Sequence, residues 1–560
     1  MKNISRRKFI KDSARLGVGG TLISSGLGGA PLIFTKDRVK KSTARGTLQF
    51  QPHFIQRGVG PHLLDWAYAS DQNGDAFHSN IESSNTGVII SDTEGQDRFA
   101  IDVRWNVEEF GYIYITADNG GKFYKLPRKG KEMSLNLNYE LAKSRILRNR
   151  RRLQQFSSQV SWNQSRELQS YLALADEYYE DARKMQDNTE KCAALSQKSL
   201  TWSLWASELL ELEFARHTVA TIGFRADMYL GCDVRHYYQM DTNVFMEHFT
   251  ELFNYANLTY VVNGDRFMNE FEPQEGMLNF HLRDALHQEL RQRDITVQGR
   301  SLFWFHKWVT PDWLANKSFD DLKKYVEKHT RDVVGHYGDS MYGWEIMNEI
   351  HDWANEVKLN PEQAIELTKL ACEIAKDTAP NVKRIINNCC PFAEYVQLGR
   401  WSGQEACCRQ RTPVNFTREM IEAGVDFDII GQQMYFPYRD LQDTIMMIER
   451  YEQFGKQVQL TEVGTPGGPN EDSIRSGRYK FGTEPHIWHR PWDDELEAEW
   501  LEGIYTLAYS KPYIEAINWF DMMDPESYML NGGLLRTRKG GKKPAYHRLK
   551  KLQNYWKSLE

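Results

Sequence analysis

The chain has 560 residues, with 70 Lys and Arg against 76 Asp and Glu, a net charge of −6 and 41% hydrophobic residues. That length exceeds what a single core organises, so roughly two or three domains are expected. The near-balanced charge excludes a polyanion-binding character and predicts no nucleic-acid partner. The 16 Trp, 27 Tyr and 27 Phe fit either large cores or sugar-stacking surfaces, and composition does not separate the two.

Ser5-Arg6-Arg7-Lys8-Phe9-Ile10-Lys11 is a twin-arginine pattern, followed by an apolar, glycine-rich run from Leu16 to Phe34. The run is too short and glycine-rich for a membrane span. Residues 1–45 therefore read as an export signal and basic linker, which places the protein in the periplasm or outside the cell, with no integral span beyond the signal. Of the seven cysteines an odd one must stay free. The adjacent pairs Cys389-Cys390 and Cys407-Cys408 could bridge each other if they meet in space. They lack zinc-site spacing, so a structural role and no metal are expected.

Residues 46–137 read as a β-rich, sandwich-like domain. Phe99 to Trp105 alternates, and Tyr112–Thr116 facing Lys122–Tyr124 across Asp118-Asn119-Gly120-Gly121 carries a hairpin signal. Carbohydrate binding and a packing role both stay open for this domain. Residues 138–223 read as a helical connector. Leu168, Leu172, Ala175, Tyr179 and Ala182 share one helical face, and Leu195, Trp202, Trp205, Leu209 and Leu212 share another. The basic run Arg145 to Arg152 reads as a solvated helix face rather than a polyanion site.

From residue 224 to 560 strands alternate with helices. The predicted strands are 228–232, 258–262, 296–305, 343–348, 384–388, 427–432, 457–462 and 516–521, separated by helices such as 319–337 and 361–376. Eight such repeats in this length predict an α/β fold, a (β/α)8 TIM barrel whose active site lies at the carboxyl ends of its strands. Two acids stand at such ends. One apolar strand finishes in Asn348-Glu349 and another, three strands later, in Thr461-Glu462. A retaining glycosidase needs two carboxyls about 5–5.5 Å apart, one to attack the anomeric carbon and one to protonate the leaving oxygen and then deprotonate water. Strands four and seven face each other across a barrel mouth, and Asn348 is placed to bond a sugar 2-hydroxyl.

Several ordered motifs within 224–556 resemble glycoside hydrolase family 10. Glu272-Pro273-Gln274-Glu275-Gly276-Met277-Leu278-Asn279-Phe280 is similar to its E-P-x-x-G-x-x-N-F, and Gly299 to Trp304 with Thr310-Pro311-Asp312-Trp313 to its G-H-T-L-V-W and T-P-x-W. Trp344 to Glu349 resembles W-D-V-V-N-E, Asp428 to Gln433 resembles D-G-I-G-x-Q, Leu460-Thr461-Glu462 resembles I-T-E, and Lys543-Pro544-Ala545-Tyr546 resembles K-P-A-Y. The resemblance implies that Glu349 is the acid/base, Glu462 the nucleophile, Gln433 a neighbour of the nucleophile, and Trp519 the floor of the cleaved sugar's site. It further implies a polysaccharide or oligosaccharide as partner, xylan or a related β-1,4-glycan, and no cofactor.

The departures fall in the sugar-binding shell. The family's Lys after strand two aligns with Phe267, leaving Asn263, Asp265 or Arg266 to substitute. Its His after Trp304 is Phe305, with His306 next, and the His of its Q-G-H is Tyr435. The Asp expected two residues after Glu462 is Gly464. Since lost hydrogen-bond partners alter specificity strongly, xylan is the default substrate only. In the long loop after Glu462, Trp488, His489 and Trp492 either line subsites or anchor the loop. Trp308, Trp313 and Trp353 share that ambiguity. His351 and Asp352 either tune Glu349 or are exposed loop residues. Two rival readings are a non-catalytic carbohydrate-binding protein on a hydrolase-like barrel, and a retaining hydrolase of another β-glycan. The sequence leaves oligomeric state open.

Overall fold

The computed structural model describes residues 45–53, 67–84, 86–263, 268, 270–351, 354–401, 404–435, 438–468 and 487–560. The twin-arginine segment and Arg266 lie outside the described residues. The N-terminal region has strands β1 (Thr47–Gln51), β2 (Ala67–Ser70), β3 (Ala76–Phe77), β4 (Asn80–Ser84), β5 (Gly87–Asp92), β6 (Ala100–Val107), β7 (Gly111–Ala117) and β8 (Glu132–Asn136). One sheet runs β4-β5-β1-β8 and the other runs β7-β6-β2-β3. They share a core of Leu48, Phe50 and Ile90 from one sheet with Ile101, Val103, Trp105 and Ile113 from the other, a sandwich-like arrangement.

Strand β6 is buried along its whole length because both of its faces are covered. Ile101, Val103 and Trp105 fill the sandwich core, while Asp102, Arg104 and Asn106 point the other way and are buried too. The expected hairpin across Asp118–Gly121 does not form. β7 pairs instead with β6 across Glu108-Glu109-Phe110, and Tyr124 makes an isolated bridge to Phe99. The local turn signal at 118–121 yields a turn, but the long apolar β6 offers β7 more pairing area than the three-residue segment after the turn.

Three helices follow: α1 (Leu137–Gln159), α2 (Arg166–Lys184) and α3 (Thr189–Ile222). Their starts are capped by the side chains of Asn136, Ser165 and Asn188, each accepting a backbone N–H that the helix leaves unpaired. In α2, Leu168, Ala175, Tyr179 and Ala182 are buried as their spacing predicts. In α3 the expected apolar face is only half-buried, and the fully buried face carries Ser196, Ser199, Ser203 and Ser207. These small side chains admit close helix approach, and Ser199 Oγ donates to Ala175 O of α2 at 2.8 Å. The basic run is a solvated face only in part: Arg150 and Arg151 are exposed, but Arg145, Arg148 and Arg152 are buried. Arg145 is bonded to Asp440 (2.6 Å) and Asp443 (3.1 Å), Arg148 to Asp443, and Arg152 to Glu211 (2.6 Å) and Glu449 (3.0 Å). Ion pairing with acids distant in sequence supplies what water would otherwise supply.

The C-terminal part is a closed barrel of eight parallel strands: β9 (Tyr229–Asp233), β10 (Tyr255–Thr259), β11 (Thr296–Arg300), β12 (Gly343–Asn348), β13 (Lys383–Asn388), β14 (Ile429–Met434), β15 (Gln457–Val463) and β16 (Ile514–Trp519). β12 spans the predicted residues. β10 starts and ends three residues before its prediction; Tyr260, just past its end, still donates its N–H to Arg300 O at 2.6 Å while its ring packs against Phe271, Tyr337 and Trp344. β11 ends at Arg300, but the chain keeps touching β12 through a Phe303–Met347 bridge. Gly299 is required there, since a Cβ would lie 2.2 Å from the Trp344 ring.

Candidate active site

Strand β11 and its continuation touch both candidate carboxyls. Arg300, the last residue of β11, donates from Nη2 to Glu462 Oε1. Four residues on, Trp304 Nε1 donates to Glu349 Oε2 at 2.8 Å. The neighbouring strands cross-brace the same mouth. Gln433 of β14 donates to Glu349 Oε1 at 2.6 Å and to Asn348 Oδ1 at 3.3 Å, while Gln433 itself pairs in register with Glu462. Asn387 of β13 donates to Glu462 Oε1 at 3.2 Å, and its carbonyl accepts the Glu349 N–H at 3.0 Å. Tyr435, just past β14, donates to Glu462 Oε2 at 2.6 Å. Glu349 and Glu462 are 5% and 4% exposed. Glu349 carries a φ of +57°, a left-handed backbone that a non-glycine residue keeps only where its surroundings enforce it.

Behind the nucleophile lies a charged layer. Arg300 also reaches Asp233 at 3.2 Å and Glu345 at 3.9 Å. Glu345 accepts from Ser301 Oγ. Burial pushes Glu345 up to about 7; Arg300 opposes the shift and Glu462 adds to it. Arg235 pairs with Asp521, and burial holds Asp521 up at about 6 against that pairing. The Phe520 ring sits between the two guanidiniums, 3.8 Å from Arg235 and 5.1 Å from Arg300. Tyr528 is 41% exposed, lies 4.9 Å ring to ring from Tyr435, and is within electrostatic reach of Glu349 and Glu462. Two buried carboxyls joined through shared neighbouring strands, with a donor on every oxygen and an exposed aromatic ring against Tyr435, are suited to hold a sugar ring and exchange protons with it.

A model of glycosyl hydrolase family 10 matches residues 226–552, more than half of the chain. The chain belongs to glycosyl hydrolase family 10. It is 23% identical over 275 residues to endo-1,4-beta-xylanase B of Thermotoga neapolitana, covering 48% of this chain and 68% of that protein. It is 21% identical over 220 residues to an endo-1,4-beta-xylanase of Agaricus bisporus, covering 38% of this chain and 62% of that protein. Native xylanase 10B from Thermotoga maritima superposes with a TM-score of 0.46 at 19% identity, covering 62% of this chain and 99% of that structure.

Within this family-10 barrel the residues singled out from the sequence part into two groups. Glu349, Glu462, Asn348, Gln433, Tyr435 and Trp304 meet at the mouth, as described. The others do not. Trp519 is fully buried, donates to Gly532 O at 3.1 Å and packs edge-on against Trp500, so it cannot floor a sugar. Tyr528 holds the exposed position instead. His306 is buried, stacked 5.0 Å behind Trp304, and burial takes its imidazole down to about 3, so it supports the indole and does not face a substrate. Asn263 is half-buried in the loop after β10.

Trp488 and Trp492 are anchors, 2% and 3% exposed. Ile487–Trp488 pairs antiparallel with β7, and Trp488 and His489 donate to Glu208 of α3 at 2.8 and 2.6 Å. His351 is buried against Phe416, and burial with Arg411 nearby takes it down to about 3. Asp352 and Trp353 lie outside the described residues. All seven cysteines are free thiols, so neither adjacent pair bridges the other. Sequence reasoning missed Arg300, Asn387 and Tyr528. Arg300 stood in a quoted motif at the position of a family histidine, and that charge change was the available signal.

Proposed function

We propose that this chain is a retaining glycosidase that cleaves a β-1,4-linked plant polysaccharide, xylan first among the candidates, by double displacement. Glu462 attacks the anomeric carbon and forms a glycosyl ester; Glu349 protonates the departing oxygen, then takes the proton of the water that hydrolyses the ester. Arg300, Asn387 and Tyr435 aim Glu462; Trp304 and Gln433 hold Glu349; Tyr528 stacks on the bound sugar. The observation that carries this reading is the cross-bracing of one barrel mouth, in which strand β11 touches both carboxyls while β13 and β14 each reach over to one of them. Family membership and the xylanase relatives support the substrate class. The changed shell around the glycone, Tyr435 and Arg300 in place of histidines, widens the candidates to other β-glycans.

The test is a panel of xylans and other β-glycans with purified protein, reading reducing ends and the anomer of the first product by NMR. Release of a β-anomer first from a β-glycan is expected. Glycan binding without any reducing ends, or an α-anomer first, overturns the reading. We also propose export by the twin-arginine route, carried by Arg6-Arg7. Replacing both with Lys should retain the protein in the cytoplasm, and unchanged periplasmic or extracellular recovery would refute it.

A further inference from the structure

The segment Tyr438 to Asp443, which leads from β14 into helix Leu441–Glu449, is bonded to the N-terminal region at every position. Tyr438 O accepts the Tyr114 N–H at 2.8 Å. Arg439 is buried, donates to Asp102 at 3.0 Å, meets the Tyr68 hydroxyl, and lies 5.0 Å from the Tyr114 ring. Asp440 and Asp443 accept from Arg145, and Asp443 also from Arg148. The Leu441 N–H donates to Glu208 at 2.9 Å, and Gln442 donates to Asn149 and Glu211 at 3.2 and 3.1 Å. Asp102 is itself fixed, accepting from Ser70 (2.8 Å) and Thr116 (2.6 Å). The loop after β15 ends on the same unit, through Ile487–Trp488 on β7. The described ends of the segments that follow β14 and β15 are thus both bonded to residues outside the barrel.

Tyr435 sits three residues before Tyr438 and donates to the nucleophile. We propose that the N-terminal region is a working part of the active site: Asp102 holds Arg439, and Arg439 holds the segment that keeps Tyr435 on Glu462. Arg439 is therefore a positioning residue. Loops at this face of a barrel vary freely unless something fixes them. A hydrogen bond to a reacting carboxylate tolerates little misplacement, since about 1 Å can cost on the order of 10²-fold in rate. Buried guanidinium–carboxylate pairs are short and directional, so they suit that task. The same geometry removes the alternative of a loosely tethered binding module. The β6 side chains Asp102, Arg104 and Asn106 that such a sheet face would offer a ligand are buried.

The inference rests on the glycosidase reading and is tested in the full chain. The substrate is a nitrophenyl β-xylobioside, and the variants are Arg439→Gln, Asp102→Asn, Tyr435→Phe and the double Arg439→Gln/Tyr435→Phe. The groups facing Glu462 are Arg300, Asn387 and Tyr435, with Glu345 behind Arg300. Those facing Arg439 are Asp102, Asp443, Glu394 and Tyr68. Arg439→Gln should lower kcat about 10-fold with KM little changed, and move the acid limb of kcat/KM in the same direction as Tyr435→Phe. The double variant should be no worse than Tyr435→Phe alone, because both act through one hydrogen bond. Losses that multiply in the double would overturn the proposal. So would an Arg439→Gln variant with a lower urea midpoint but unchanged kcat and pH profile. If Arg439→Gln does not fold, the isosteric Asp102→Asn takes its place beside Tyr435→Phe. Non-additive losses then support the proposal and multiplying losses overturn it, as before. An inactive wild type, or an active Glu462→Ala, strikes the glycosidase reading instead and is read separately.

Discussion

The hydrogen-bond donors described at the two carboxyls of the barrel mouth differ. Glu349 receives an indole N–H from Trp304 and an amide N–H from Gln433, both neutral. Glu462 receives a guanidinium from Arg300 as well as the Asn387 amide and the Tyr435 hydroxyl. On the proposed double displacement the two glutamates take different roles, and the Arg300 contact at Glu462 is the difference to test.

The sharpest break of that comparison is to delete each acid in turn. Glu462→Ala should lose turnover on every substrate, on the order of 10⁶-fold, the scale seen when a covalent nucleophile is removed. Glu349→Ala should lose about 10² to 10⁴-fold, the contribution of general acid–base catalysis, and least on substrates with good leaving groups. Azide should restore turnover in Glu349→Ala as a β-glycosyl azide, because it attacks the ester without needing a base. Equal losses in the two variants, with no azide product, would show that the roles are not divided in this way.

Arg300 is the next lever. Arg300→His restores the residue that the family carries there, and should cost about 10²-fold in kcat, the scale of losing one preorganised charged donor. Activity within about twofold of wild type would remove Arg300 from the machinery. Arg300 also marks where the sequence stopped being legible. The barrel was readable because parallel strands covered on both faces print as apolar runs between helices. Glu349 and Glu462 were readable because strand ends point to the mouth. Arg300 bonds an acid 162 residues away, and nothing local records that contact. The same holds for Arg145 and Asp440: the helical pattern put Arg145 on a solvated face, and in space the pair is a buried bolt. Trp519 failed for another reason: the strand's last residue turned into the layer outside the barrel, while the loop nine residues later brought Tyr528 to the site.

Glu345 tests the charged layer by pH. Its folded carboxyl is raised to about 7 from an ordinary 4.5, by burial first. Between those values the folded state binds more protons than the unfolded, so this group's contribution to stability is present below pH 4.5 and is lost as pH rises through 7. Glu345→Gln removes that dependence. Urea unfolding of wild type should weaken relative to the variant by roughly 3 kcal/mol between about pH 4.5 and 7.5. Parallel curves for the two proteins would mean that Glu345 is already charged in the folded state, with Arg300 shared between two carboxylates.

The smallest effect is expected at Trp304, where Trp304→Phe keeps an aromatic ring beside His306 and removes the N–H to Glu349 along with part of the indole. One neutral hydrogen bond is worth about 1 kcal/mol, so kcat/KM should fall roughly fivefold. Activity unchanged in Trp304→Phe would remove that hydrogen bond from the machinery that holds Glu349.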